Sequence, residues 1–127
     1  MIEKQVFFSK SEIDTFNLGL NLSKHIEPGV VIGLDGSLGA GKSVFIRGVL
    51  SGLGVKEAIP SPTFTLVNEY SALYKIYHFD LYRLNDPYEL YEIGFEDYIY
   101  SDGISLIEWY NKAGDILPED IVKIKIR

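Results

Sequence analysis

Residues Gly36 to Ser43 read Gly-Ser-Leu-Gly-Ala-Gly-Lys-Ser, and no other stretch of the chain restricts its fold as much. They fit the pattern G-x-x-x-x-G-K-[ST]. Glycines let successive backbone N–H groups turn inward around an anion without Cβ clashes. Lys42 brings a positive charge to β- and γ-phosphates, and the Ser43 hydroxyl is a hard oxygen ligand for Mg²⁺. Such a loop needs a strand entering it and a helix leaving it, with the positive end of the helix facing the same anion. Both flanks comply. Val30–Leu34 is a short, wholly apolar run of the kind buried in a parallel sheet. Phe45, Val49 and Leu53 recur at helical spacing after Lys42, and Gly54 suits a left-handed helix end. The expectation is a bound nucleoside triphosphate with Mg²⁺, contacted by Gly36, Ser37, Leu38, Gly39, Ala40, Gly41, Lys42, Ser43 and Val44.

The remaining chain reads as alternating strands and helices. Lys4–Phe8 is expected to be a short strand. Ser9 with Glu12 forms a capping box for a helix reaching about Lys24, with Ile13, Phe16 and Leu20 on one face. Pro60 and Pro62 force Ile59–Pro62 to be extended. Phe64–Tyr70 and Tyr74–Phe79 predict a hairpin turning at Ser71–Leu73. Asp86-Pro87-Tyr88-Glu89 is a helix start with Asp86 as N-cap. Phe95–Tyr100 predicts a second helical piece, Ile104–Ile107 an apolar strand ending at Glu108, and Ile121–Ile126 an edge strand with Lys123 and Lys125 on its wet face. The sum is one α/β domain over residues 1–127, a mixed sheet of the P-loop NTPase kind flanked by helices.

A phosphate loop requires acids at the carboxyl ends of neighbouring strands, to hold Mg²⁺ and position water. Asp80 ends one predicted strand and Glu108 another, and either can be the metal ligand. Ser61-Pro62-Thr63-Phe64-Thr65 places two threonines on a stiffened stretch, suited to a switch in which Thr63 reaches the γ-phosphate or the metal; an ordinary Ser/Thr-rich turn fits equally. Arg83 either neutralises transition-state charge or pairs with nearby acids. His25 and His78 lack metal-ligand spacing and read as structural. Asn111-Lys112-Ala113-Gly114-Asp115 imitates a guanine-reading motif, but its Asp comes one residue late.

Composition narrows the classes further. The chain has 127 residues and no cysteine, which excludes a disulfide scaffold, a thiolate metal site and a cysteine nucleophile. A formal net charge of −6 argues against a dedicated nucleic-acid binder. No apolar run is long enough to span a membrane, and the N-terminus shows no signal-like segment, so a cytoplasmic chain is expected. Seven acids and no Lys or Arg lie between Leu84 and Asn111, and all nine tyrosines fall between Tyr70 and Tyr110. That segment is either a solvated acidic face or a docking surface for a basic protein.

Taken in order, Gly36–Ser43 with Phe45-Ile46-Arg47-Gly48, Ser61-Pro62-Thr63-Phe64-Thr65-Leu66-Val67-Asn68-Glu69-Tyr70, Tyr77-His78-Phe79-Asp80-Leu81-Tyr82-Arg83-Leu84 and Leu106-Ile107-Glu108-Trp109 resemble the bacterial tRNA threonylcarbamoyladenosine biosynthesis ATPase family, TsaE. The resemblance implies a small ATPase that binds ATP and Mg²⁺, weakly active alone. It implies action with a two-protein threonylcarbamoyl-transferase complex on ANN-decoding tRNAs, tRNA being met through that complex, with no membrane partner and a monomer when alone. Lys42 and Ser43 carry over as phosphate and Mg²⁺ contacts, Asp80 as the Walker B-like acid, Glu108 as a metal- or water-positioning acid, Thr63 and Thr65 as the switch, and Trp109 as the aromatic beside the acid.

Three departures accompany it. Ser37 replaces the family's usual loop Asp, Tyr110-Asn111 replaces Pro-Glu after the tryptophan, and the chain stops at the Lys123–Arg127 strand. The adenine is then expected near Phe8–Ser11. Competing readings are a small-molecule P-loop kinase and a nucleotide-gated interaction module; the kinase is disfavoured because residues 84–111 offer no basic lid.

Overall fold

The computed structural model describes residues 5–36, 41–56 and 66–127. Helix α1 (Glu12–Ser23) is followed by β1 (Val31–Asp35), α2 (Lys42–Gly52), β2 (Val67–Ser71) and β3 (Lys75–Asp80). Short helices α3 (Glu89–Glu92) and α4 (Phe95–Ile99) lead to β4 (Ile104–Glu108), a 3-10 segment (Tyr110–Ile116) and β5 (Val122–Lys125). The strands form one mixed sheet in the order β2-β3-β4-β1-β5, parallel except for the β2–β3 hairpin. This is the α/β mixed sheet flanked by helices that the sequence predicts.

Two cores sandwich the sheet. Ile32, Leu34, Ile76, Ile104 and Leu106 meet Phe45, Ile46, Val49 and Leu50 of α2 on one face. Val31, Phe79 and Ile107 meet Leu90, Phe95, Ile99 and Ala113 on the other. β4 is buried along its whole length, as its unbroken apolar run requires. Strand alternation therefore turns Ile76, His78 and Asp80 towards the α2 face, together with Leu106 and Glu108.

α1 lies against α2 at backbone distance. A Cβ at Gly19 would overlap the carbonyl oxygen of Phe45, and one at Gly48 the carbonyl oxygen of Phe16. Only glycine permits that approach, so these two positions fix how α1 lies against α2.

Several local expectations change. Residues 5–9 form no strand: none of the sheet strands pairs with them, and Val6, Phe7 and Phe8 are exposed. Ser11, rather than Ser9, caps α1, its hydroxyl accepting from the Asp14 N–H at 3.1 Å. Ser11-x-x-Asp14 is a competing box two residues later, and the Ser9 hydroxyl is engaged by the Ser11 carbonyl and Thr15 instead. Ile13 is 72 % exposed, near the start of α1 and ahead of the close approach to α2 at Phe16 and Gly19. Asp86 receives the Tyr88 N–H in a turn, and the helix proper starts only at Glu89. The extended reading of Ile59–Pro62 falls outside the described residues.

Candidate functional site

Parallel strands leave their carboxyl ends on one edge of the sheet, and the predicted acids end there. Asp80 of β3 and Glu108 of β4 stand directly opposite each other in register, and Leu34 of β1 pairs with Glu108 on its other side. The chain leaving β1 at that edge reaches Gly41, which sits at φ 102° ahead of the first turn of α2. Positive φ there costs glycine nothing and would strain other residues. The strand ends are tied together: the Asp80 N–H donates to the Leu66 carbonyl at 3.0 Å and the Leu81 N–H to the Glu108 carbonyl at 3.2 Å.

Lys42, Asp80 and Glu108 are 6 %, 7 % and 6 % exposed, and among the described residues no other Lys, Arg, Asp or Glu is buried. Burying charge is expensive unless partners or ligands compensate it. Concentrating it all around one sheet edge and the adjoining helix start marks that edge as the chemical site. The Lys42 ammonium lies 4.5 Å from the centre of the Trp109 ring, a cation–π contact. Trp109 itself has φ 58°, an unusual conformation for a bulky residue and one of the strained kind found at functional sites. The Tyr82 ring packs 5.1 Å from that of Trp109. Lys112 then donates to the Tyr82 carbonyl and sits 5.4 Å from the Tyr82 ring centre. Asp80 Oδ1 accepts from the Tyr82 N–H at 3.0 Å, so the same tyrosine braces acid and indole.

α2 has no capping side chain and no acid in its first turn, in contrast to α1 with Ser11. Among the described residues no side chain caps its first N–H groups, and a helix N-terminus carries the positive end of the dipole. Ser43 is exposed in that first turn, and Val44 is half-buried behind it. Among the described residues no group of three or more His, Asp or Glu side chains is arranged to hold a metal ion by itself. A pair of strand-end carboxylates and a serine hydroxyl nevertheless fits Mg²⁺, which keeps several waters and takes few protein ligands beside a phosphate.

Ser37, Leu38, Gly39, Ala40 and the threonines Thr63 and Thr65 lie outside the described residues; Gly36, Gly41, Lys42, Ser43, Asp80, Glu108 and Trp109 lie within them. Arg83 is exposed beyond β3. Three further side chains, outside the candidate residues read from the sequence, make contacts at this edge. His78, taken as structural, places Nε2 2.9 Å from Glu108 Oε2. Its position two residues before Asp80 on one strand is the signal that it shares the acids' face. Tyr82 and Lys112 carry no local signal, because their contact spans 30 residues. Lys112 belongs to the guanine-like motif, but its ammonium is engaged with Tyr82. Beside the site, burial and the Asp35 carboxylate push the Tyr110 phenol above its ordinary value.

Known proteins resemble this chain along most of its length. The family profile of Threonylcarbamoyl adenosine biosynthesis protein TsaE matches residues 9–127. The tRNA threonylcarbamoyladenosine biosynthesis protein TsaE of Haemophilus influenzae is 49 % identical over 106 residues, covering 83 % of this chain and 67 % of the relative. That of Treponema pallidum is 40 % identical over 119 residues, covering 94 % and 88 %. In three dimensions the crystal structure of Bacillus subtilis YdiB superposes with a TM-score of 0.78 at 29 % identity, over 92 % of this chain and 72 % of that one. No helix among the described residues is long and apolar enough to cross a membrane.

Proposed function

This chain belongs to the TsaE family of threonylcarbamoyl adenosine biosynthesis proteins, and from that premise we propose that it is the Mg²⁺-dependent ATPase of tRNA threonylcarbamoyladenosine formation. The observation that carries this reading is the gathering of Lys42, Asp80 and Glu108, the buried Lys, Asp and Glu side chains among the described residues, around one sheet edge and the adjoining helix start.

ATP lies along Gly36–Val44 with its phosphates against the α2 N-terminus. Lys42 neutralises the β- and γ-phosphates, and the dry setting strengthens that attraction. Ser43 with Asp80 or Glu108 would hold Mg²⁺, which when bound would supply charge neutralisation at the phosphates. The acid not committed to the metal orients water for in-line attack: a new oxygen–phosphorus bond forms as the bond to the β-phosphate oxygen breaks, and ADP, inorganic phosphate and the water's proton are released. Thr63 serves as the switch that senses the γ-phosphate. Trp109 keeps the Lys42 ammonium in place until phosphate competes for it.

Hydrolysis drives turnover of the two-protein threonylcarbamoyl-transferase complex in the cytoplasm, and tRNA is met through that complex. The partner surface is the acidic, tyrosine-rich face. Of its acids Asp86, Glu92, Glu96, Asp97 and Asp102 are exposed, and so are Tyr82, Tyr88, Tyr91 and Tyr100. The test is nucleotide binding by calorimetry together with turnover in the presence of the partners. Lys42→Ala is expected to lose both, and binding that survives the substitution would overturn the loop assignment.

A further inference from the structure

His78 is 4 % exposed on β3, between Ile76 and Asp80 on the face turned to α2. An aliphatic side chain is the economical choice for such a position. The histidine instead leaves its Nδ1 buried with no hydrogen-bond partner among the described residues, a desolvation cost with no compensating bond. Natural structures keep an orphaned polar atom where something else requires the group. Here the other ring nitrogen, Nε2, lies 2.9 Å from Glu108 Oε2. An ionised carboxylate only accepts hydrogen bonds, so Nε2 is the donor.

Register explains why this contact reaches the acid from below. His78 is level with Leu106, one step deeper into the sheet than Glu108, which is level with Asp80. The imidazole therefore grips the carboxylate from the core side, away from the edge where the strands end. A ring fixed between two strands is a stiffer anchor than a flexible side chain.

We propose that His78 is a positioning residue for Glu108, its Nε2–H fixing the rotamer and plane of the carboxylate for the ATPase step. The inference rests on the reading of Glu108 as a site acid. The hydrogen bond itself is independent of that reading, and the experiment separates the two.

Selectively ¹⁵N-histidine-labelled full-length protein is expected to show a slowly exchanging, downfield Nε2–H proton from His78, absent in Glu108→Ala; exposed His25 gives none. With partner proteins present, His78→Leu is expected to lower kcat about 10–100-fold, the usual cost of losing a ligand's orienting partner. KM for ATP stays within about twofold, because the phosphate contacts are untouched. His78→Gln, whose amide N–H can replace Nε2–H, restores most of kcat; thermal unfolding of both variants separates folding losses from positioning. A missing Nε2–H signal, a His78→Leu enzyme with unaltered kcat, or a folded His78→Gln enzyme as slow as His78→Leu would each overturn the proposal. If the unaltered chain shows the signal but no ATP turnover with its partners, the functional reading fails instead, and the positioning role falls with it.

Discussion

Lys42 is the residue whose burial is hardest to explain without a ligand. Its ammonium has the Trp109 ring as a neighbour, and a single cation–π contact contributes only about 0.5–2 kcal/mol. Under the proposed function, a bound phosphate would supply the missing compensation. Glu108 carries the complementary expectation. Glu108→Gln keeps the volume and the contact with His78 but removes the charge, and turnover should drop by about 10²-fold or more while nucleotide still binds. Rapid-quench kinetics beside equilibrium binding checks this, and equal losses in both would refute it. Away from the site, burial and the hydrogen-bonded Glu69 carboxylate raise the Tyr98 phenol, as burial and Asp35 raise Tyr110. Both then keep their protons when the unfolded chain's tyrosines ionise. Their contribution to stability is full below the unfolded value and fades as pH climbs above about 10. Thermal unfolding across that range should show a steeper fall for the unaltered chain than for Tyr98→Phe. At this scale Lys42, Asp80 and Glu108 were legible because motif and strand-end position both mark them. His78 was not, since a lone histidine with no spaced partner carries no sign of a contact made across strands.

The elements that place these residues depend on backbone contact between α1 and α2. A methyl at Gly48 would meet the Phe16 carbonyl and force the helices apart. Gly48→Ala should therefore destabilise by about 1–3 kcal/mol, despite alanine's better helix propensity. Ile13→Ala, on the same helix but exposed, should change stability by less than about 0.5 kcal/mol. Chemical denaturation of both variants decides it: comparable stabilities would mean that the close crossing is not what holds α1. Strands β1, β3, β4 and β5 were readable from apolar runs and alternation. α1's packed face was less so: Leu18 and Leu22 pack against the core, but the closest approach to α2 is made at Gly19 and Gly48, which hydrophobic periodicity does not register. The N-terminal stretch failed for the opposite reason. Val6-Phe7-Phe8 has strand-forming residues, yet a strand exists only with a neighbour to bond to, and the sheet edges at β2 and β5 leave it unpaired.

For the whole molecule, the acidic segment changes meaning once folded. Glu108 withdraws into the site, while Asp86, Glu92, Glu96, Asp97 and Asp102 remain in solvent with four tyrosines exposed among and before them. Reversing Glu92, Glu96 and Asp97 to lysine should weaken association with the partner complex and flatten its salt dependence, leaving nucleotide affinity unchanged. Surface plasmon resonance at two salt concentrations reads this, and undiminished binding would remove that face from the interface. The family and the mixed sheet were legible from motif order alone. The acidic stretch was legible only as charge, because sequence does not say which acids end up inside. The central claim is that a buried Lys42–Asp80–Glu108 site turns over ATP for the transferase complex. Its most direct test is phosphate release by the full chain, with and without the purified complex and tRNA. Slow release alone, strong stimulation by the partners and loss of that stimulation in Lys42→Ala are the predicted results; stimulated release that survives Lys42→Ala would contradict it.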